Sequence, residues 1–195
     1  MDQEVDDYYS FTLEDLVNEC KPHFIKLRDQ GQYDACIKFV EEILIHETMS
    51  NGVKASLLSM KACAHIKRNL RDDYLEAVIA LQTGLESSRL SKADRATLYT
   101  RLGIVWLEMS TISNHVDFAI KYFRQGLDLK DLPAAHFKEL LKLNEHAFNL
   151  KILQINQLIY SLIPLWNQIN LSAPIKQQIK KIKVITPVGE LTFAV

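Results

Sequence analysis

Apolar side chains recur along most of this chain at spacings of three and four residues, which is the period of an amphipathic α-helix. Six stretches of this kind, separated by short polar breaks, predict six helices, and a longer seventh stretch follows them. One of the clearest runs through Tyr33, Cys36, Ile37, Val40, Ile43 and Leu44. The predicted helices cover about residues 12–29, 33–44, 53–68, 74–87, 91–109, 116–129 and 133–163.

Capping residues and prolines set the expected ends of these helices. Thr12 and Ser91 each stand three residues before an aspartate, so both are predicted N-caps. Pro22 should kink the first helix or start a new one, and Pro164 should bend or stop the last. A short eighth helix is then expected over residues 165–170. Because the connections are short, successive helices should be antiparallel.

The second helix of each predicted pair has the same pattern of residue sizes. Aligned without gaps, these helices start at Tyr33, Tyr74 and Val116, 41 and 42 residues apart. Each has a small residue at its fourth position and an aliphatic residue directly after it. The small residues are Cys36, Ala77 and Ala119. A period of about 40 residues indicates an array of helical hairpins.

This pattern resembles the second helix of the tetratricopeptide repeat (TPR), which has the sequence Tyr-x-x-Ala-Ile-x-x-Tyr/Phe-x-x-Ala-Leu. In the third pair, Tyr99-x-x-Leu102-Gly103-x-x-Trp106 looks like the family's Trp-x-x-Leu-Gly-x-x-Tyr. The resemblance covers about residues 12–130, with a longer spacing than the usual period of about 34 residues. It implies that Gly103 lets the second helix of its own repeat approach closely, around Ala119.

TPR hairpins stack so that their first helices line one face, and the resemblance implies a partner-binding surface there. The candidate binding residues on this face are Lys21, Arg28, Arg101 and Ile104. TPR cochaperones that grip a C-terminal aspartate use five Lys, Asn and Arg side chains. Here only Lys21 and Arg101 match, so that mode of binding is not favoured.

A narrower similarity connects the chain to the TPR domains of fungal cochaperones that link heat-shock chaperones to ubiquitin-ligase and kinetochore assembly. It rests on Lys-Ala-Cys-Ala at residues 61–64 and Phe-Ala-Ile-Lys-Tyr-Phe at residues 118–123. Those cochaperones also carry a β-sandwich chaperone-binding domain, which has no counterpart in this sequence.

The C-terminal third does not continue the repeat pattern. Its long helix carries a wide apolar stripe, and the predicted interaction residues on it are Phe148, Ile152, Ile155 and Ile159. The helix is either a cap on the third repeat or a ridge that binds another subunit or a second copy of the chain. Residues 175–183 form a basic amphipathic segment, and residues 184–193 are predicted to form two short strands around a Pro-x-Gly turn.

Composition and charge exclude several classes of partner. The formal net charge is −1, which gives no general reason to bind nucleic acid. The longest weakly charged run, residues 152–171, contains too many Asn and Gln residues for a membrane span. The N-terminus has no secretory signal, and three cysteines do not form a complete disulfide set. The expected location is therefore a reducing compartment, the cytoplasm or the nucleus.

Catalytic and metal-binding patterns were sought and none was found in the sequence. There is no glycine-rich phosphate loop, nucleophile elbow or His-Glu-x-x-His motif. The histidines are too far apart, or face different directions, to share a metal ion. The acidic pairs Glu41-Glu42 and Asp72-Asp73 are expected on solvated faces or loops. The sequence therefore predicts a protein that is not an enzyme and has no cofactor.

Together these features predict an all-α, TPR-like array of about three antiparallel helical hairpins. The expected segments are an acidic N-terminus (1–11), the hairpins (12–132), a long capping or interaction helix (133–171), and a basic segment with a hairpin-like or extended tail (172–195). The expected function is a protein-binding scaffold or adaptor in a multiprotein complex. The alternatives are an obligate structural subunit, including a homodimer formed through the C-terminal helix, and a cochaperone-type TPR adaptor.

Overall fold

The computed structural model describes residues 13–45, 49–70, 72–87, 89–168, 183–186 and 189–192. Seven α-helices lie within these residues, and each helix from α1 to α5 packs against the next. They are α1 (Leu13–Asp29), α2 (Tyr33–Leu44), α3 (Asn51–Arg68), α4 (Asp73–Leu85), α5 (Lys92–Glu108), α6 (His115–Leu127) and α7 (Ala134–Gln168). The N-terminal acidic segment 1–11 and most of the tail lie outside the described residues.

The chain divides into two compact units, Met1–Phe148 and Asn149–Val195, and the division falls inside α7 rather than at residue 133. The second unit contains the C-terminal part of α7 and two short strands, β1 (Lys183–Thr186) and β2 (Gly189–Thr192). The strands pair antiparallel, with Lys183 opposite Thr192 and Thr186 opposite Gly189.

The helix ends follow side-chain capping more closely than they follow proline. The Ser91 hydroxyl accepts a hydrogen bond from the backbone N–H of Asp94 at 3.0 Å, which confirms the predicted N-cap of α5. Pro22 lies inside α1 and Pro164 lies inside α7, so the expectations of a new helix at Pro22 and a stop at Pro164 are wrong. A proline removes one backbone hydrogen bond, and the helical residues on both sides continue the helix.

Two clusters of buried apolar side chains hold the first unit together. The first joins α1, α2 and α3 through Phe24, Cys36, Val40 and Leu57. The second joins α3, α4 and α5 and includes Ala62, Ala77, Leu81, Leu102 and Val105. In addition, α3 contacts both α1 and α5, so the three odd-numbered helices adjoin one another. Burial of this continuous apolar layer is what stabilises helices of this length in water.

Glycines mark the places where helices approach most closely. A Cβ atom on Gly103 of α5 would lie 2.2 Å from Cε1 of Phe123 on α6. The sequence placed this contact at Ala119; α6 does approach Gly103, but the Phe123 ring, one turn further along, fills the space. A Cβ on Gly84 would meet Leu98 of α5 at 3.2 Å, and one on Gly126 would meet Leu140 of α7 at 2.8 Å.

A buried charge network connects α2, α3 and α4. Asp73, the first residue of α4, is only 2% exposed and accepts hydrogen bonds from His65 Nδ1 at 2.8 Å, from Leu70 N at 2.7 Å and from Arg68. Arg68 also pairs with Asp34 of α2. The hydrogen bonds from Arg68 hold the pKa of Asp73 well below its ordinary value, despite the opposing effect of burial. The expectation that Asp73 is solvated is therefore wrong.

Candidate binding groove along helices α1, α3 and α5

The start of α7 lies beside α5, next to the three adjoining odd-numbered helices. Leu140 of α7 packs against Gly126 of α6 as Leu98 of α5 packs against Gly84 of α4, and each member of the second pair lies 42 residues before its counterpart. Thr97 of α5 and His136 of α7 are also in contact, with Oγ1 and Nε2 3.4 Å apart. Residues 134–148 therefore stand to α6 as α5 stands to α4.

Two small cavities open along this set of helices. The first, of about 150 Å³, lies among α1, α3 and α5; it is lined by Lys21, Ala55, Ser56, Ser59, Met60, Asp94, Thr97, Leu98 and Arg101. The second, of about 170 Å³, lies between α5 and α7; it is lined by Thr97, Thr100, Arg101, Ile104 and Glu139. Because Thr97 and Arg101 line both cavities, the two form one surface feature, which we call the odd-helix groove.

Arg101 is the centre of the odd-helix groove. Its side chain is half-buried, and its Nε atom is buried without a hydrogen-bond acceptor among the described residues. No ion pair to Arg101 occurs in that part of the chain, although Glu139 lines the same cavity. A desolvated guanidinium N–H without an acceptor is costly, and a ligand oxygen would remove that cost.

The threonines beside Arg101 present acceptors to the groove. Thr97 Oγ1 donates to the carbonyl oxygen of Ala93 and Thr100 Oγ1 donates to that of Ala96, each at 2.9 Å. Since each hydroxyl proton is already used, the oxygen lone pairs remain to accept from a ligand N–H. The groove thus combines donors on Lys21 and Arg101 with hydroxyl acceptors and the apolar side chain of Ile104.

The structure brings together three of the residues that the sequence selected. Lys21, Arg101 and Ile104 all line the odd-helix groove. Arg28 lines neither cavity; its guanidinium pairs with Asp29 at 2.8 Å. The period of α1 places Lys21 and Arg28 on one stripe, but the neighbouring carboxylate holds the Arg28 side chain.

The predicted residues of the long helix lie apart from this groove. Phe148, the last residue of the first unit, packs under the guanidinium of Arg124 at 4.9 Å. In the second unit, Ile152 and Ile159 are half-buried and Ile155 is 38% exposed. The most exposed apolar side chains there are different ones, namely Leu153, Leu158, Tyr160 and Leu162.

Sequence reasoning missed Ser56, Ser59, Asp94 and Glu139. Glu139 could have been found, since it lies 42 residues after Thr97, one repeat period further along the chain. The serines of α3 could not be placed, because the repeat frame of that helix is ambiguous in the sequence.

Two classes of site are not seen in the described residues. No group of three or more His, Cys, Asp and Glu side chains there is arranged to hold a metal ion. None of the described helices is long and apolar enough to cross a membrane. Comparisons of the chain with protein-family models, with curated proteins and with solved structures find no match.

Proposed function

We propose that this protein is a TPR-like helical-repeat adaptor that binds an extended segment of a partner protein along the odd-helix groove. The observation that carries the proposal is the half-buried Arg101, whose Nε lacks an acceptor at the point where the two cavities meet. An adaptor needs no reacting groups; it needs side chains held in place by packed helices, and α5 supplies them.

The repeat interpretation is supported by equivalent contacts at a fixed offset. Gly84 and Leu98 meet as Gly126 and Leu140 do, and the odd-numbered helices contact one another in order. In a TPR-like array those helices would be the first helices of successive hairpins. Residues 134–148 would then be the first helix of a fourth hairpin.

The size and polarity of the groove favour a peptide over a small-molecule ligand. Cavities of about 150 and 170 Å³ fall below the range of about 300–1,000 Å³ that is usual for small-molecule sites. Each is large enough for one side chain or a stretch of backbone. A peptide carbonyl or carboxylate would accept from Arg101 and Lys21, and a peptide N–H would donate to Thr97 or Thr100.

We place the protein in a reducing compartment, the cytoplasm or the nucleus. Cys20, Cys36 and Cys63 are all free thiols, and Cys36 is fully buried. Burial raises the pKa of Cys36, so this thiol stays protonated and is a poor nucleophile.

The test of the groove is a comparison of two charge reversals. Partners would be captured with the wild-type chain, identified by mass spectrometry, and measured by calorimetry against the Arg101→Glu variant. We expect at least a tenfold loss of affinity, because one charged hydrogen bond is lost and a repulsive charge is added. Arg28→Glu is the matched control, since Arg28 lies outside both cavities. Equal binding by Arg101→Glu and wild type would contradict the proposal.

A second candidate function is that of a structural subunit that assembles through the C-terminal part of α7. It is favoured by the exposure of Leu153, Leu158, Tyr160 and Leu162, which are between 48% and 66% exposed. Light scattering after size exclusion would test it. An assembly that dissociates in Leu158→Asp, with an unchanged unfolding midpoint, would support it, and a monomeric wild-type chain would exclude self-assembly.

A further inference from the structure

An apolar stripe on α4 and α6 is exposed and takes no part in the odd-helix groove. Leu75 and Ile79 of α4 are 56% and 47% exposed, and Phe118 of α6 is 38% exposed. The Phe118 ring stacks on Trp106 with ring centres 4.4 Å apart, which fixes its orientation. Apolar side chains that are both exposed and rigidly held are typical of protein-binding surfaces.

One hydrogen bond places the two helices side by side. Gln82 Nε2 of α4 donates to the Tyr122 hydroxyl of α6 at 3.1 Å. Leu75 and Ile79 lie seven and three residues before Gln82, on the same stripe of α4, and Phe118 lies four residues before Tyr122. Short connections make successive helices antiparallel, so α4 and α6 run in the same direction. Ile79 and Phe118 therefore adjoin one turn before the hydrogen bond.

The stripe leads into a larger cavity at the start of α4. This cavity, of about 460 Å³, is lined by Asn69, Tyr74, Leu75, Glu108, Met109, Ser110, Thr111 and Ile112. Leu75 belongs both to the cavity and to the stripe. We call the stripe and the cavity together the α4–α6 groove.

The charges beside the α4–α6 groove are mostly acidic. Glu108 lines the cavity, and Asp72 and Glu76 lie three residues before Leu75 and Ile79 respectively. All three carboxylates are exposed, and none of them forms an ion pair within the described residues. One base, Lys121, lies near the far end, with its ammonium 6.0 Å from the centre of the Tyr122 ring.

We propose that the α4–α6 groove docks a basic amphipathic helix of a second protein. Apolar side chains on that helix at spacings of three and four would cover Leu75, Ile79 and Phe118, which lie at the same spacing. Its lysine or arginine side chains would pair with Asp72, Glu76 and Glu108, and one would enter the cavity beside Glu108. This site goes beyond the proposed function, because it shares no residue with the odd-helix groove.

The experiment uses the full chain with the photo-crosslinking residue p-benzoylphenylalanine in place of Ile79. The probe is a biotinylated peptide with the sequence of residues 172–183, which carries Ile175, Ile179 and Ile182 at helical spacing and four lysines. A second peptide has the four lysines replaced by glutamate. The same crosslinking residue in place of Lys38, an exposed residue of α2, reports non-specific contact.

We expect the lysine peptide to crosslink at position 79, at least tenfold more than at position 38, and the glutamate peptide not to crosslink. Glu76→Lys or Leu75→Ser, added to the same chain, should reduce the yield at least fivefold. Crosslinking of both peptides alike, or of neither above the control, would overturn the proposal. A crosslink from position 79 only to the chain's own residues, or only to a second copy, would overturn the assignment to a separate protein.

Discussion

The contact between Gly103 and Phe123 gives the sharpest prediction about the fold. Replacing Gly103 by Ala would put a methyl group 2.2 Å from Cε1 and 2.5 Å from Cζ of the Phe123 ring. Carbon atoms pack at about 3.5–4.0 Å, so the ring would have to move by more than 1 Å. Phe123 is completely buried, and its rigid ring cannot make room by changing only its outer atoms.

The magnitude follows from two opposing effects. Alanine in place of glycine inside a helix stabilises it by about 1 kcal/mol, whereas overpacking a close-packed core costs about 1–3 kcal/mol or more. We expect Gly103→Ala to lower the free energy of unfolding by about 1–2 kcal/mol. Gly126→Ala meets flexible Leu140 methyl groups at 2.8 Å and should be milder, and Gly84→Ala meets Leu98 at 3.2 Å and should be nearly neutral.

Urea unfolding of the three variants, followed by circular dichroism, measures this series. Phe123→Leu in the Gly103→Ala background should recover part of the loss, because the smaller side chain leaves room for the new methyl group. A double-mutant cycle over Gly103→Ala and Phe123→Leu would report the coupling. The reasoning would be refuted if Gly103→Ala were as stable as wild type, or if Gly84→Ala were the most destabilised of the three.

Three further changes test other parts of the fold by the same unfolding assay. Asp73→Asn should cost about 3 kcal/mol at neutral pH, because it leaves the Arg68 guanidinium without its buried carboxylate. Since the folded pKa of Asp73 is lowered, its contribution is present above the ordinary carboxyl pKa of about 4 and declines as pH falls further, so the difference between variant and wild type should narrow in acid. Ser91→Ala removes the N-cap of α5 and should cost about 1 kcal/mol; no loss would show that the cap is dispensable. Leu140→Ala should cost about 2–5 kcal/mol, as should Leu98→Ala, and a much smaller loss at Leu140 would contradict their equivalence.

The sequence was sufficient for the helices because each of them has a long apolar period. Ends set by local side chains, such as the Ser91 cap, could be predicted as well. The Phe123 contact was out of reach, since a glycine in a pattern shows that something approaches closely but not which side chain fills the space. Pro164 was misjudged because proline statistics describe average helices, and this one continues through it.

Burial of charge was the least predictable feature. Asp72 and Asp73 are neighbours of the same type, yet Asp72 is exposed and Asp73 is buried. The difference comes from His65 and Arg68 in the last turn of α3, which reach Asp73 across the connection between the helices. Likewise, Lys21 reaches the odd-helix groove while Arg28 pairs with its own neighbour. Such choices depend on three-dimensional neighbours, which a period along the chain does not specify.

The start of α7 shows why no further helix packs on it as α6 packs on α5. Leu98 and Val105 of α5 and their counterparts 42 residues later, Leu140 and Ala147, are all fully buried. The face of α5 that receives α6 includes Leu102 and Gly103, both closed to solvent. At the same offset α7 has Asn144 and Glu145, and Glu145 is exposed. A helix packed there would bury a carboxylate without a partner, at a cost of several kcal/mol. The same helix therefore presents an apolar side to α6 and a polar side where another helix would otherwise be received.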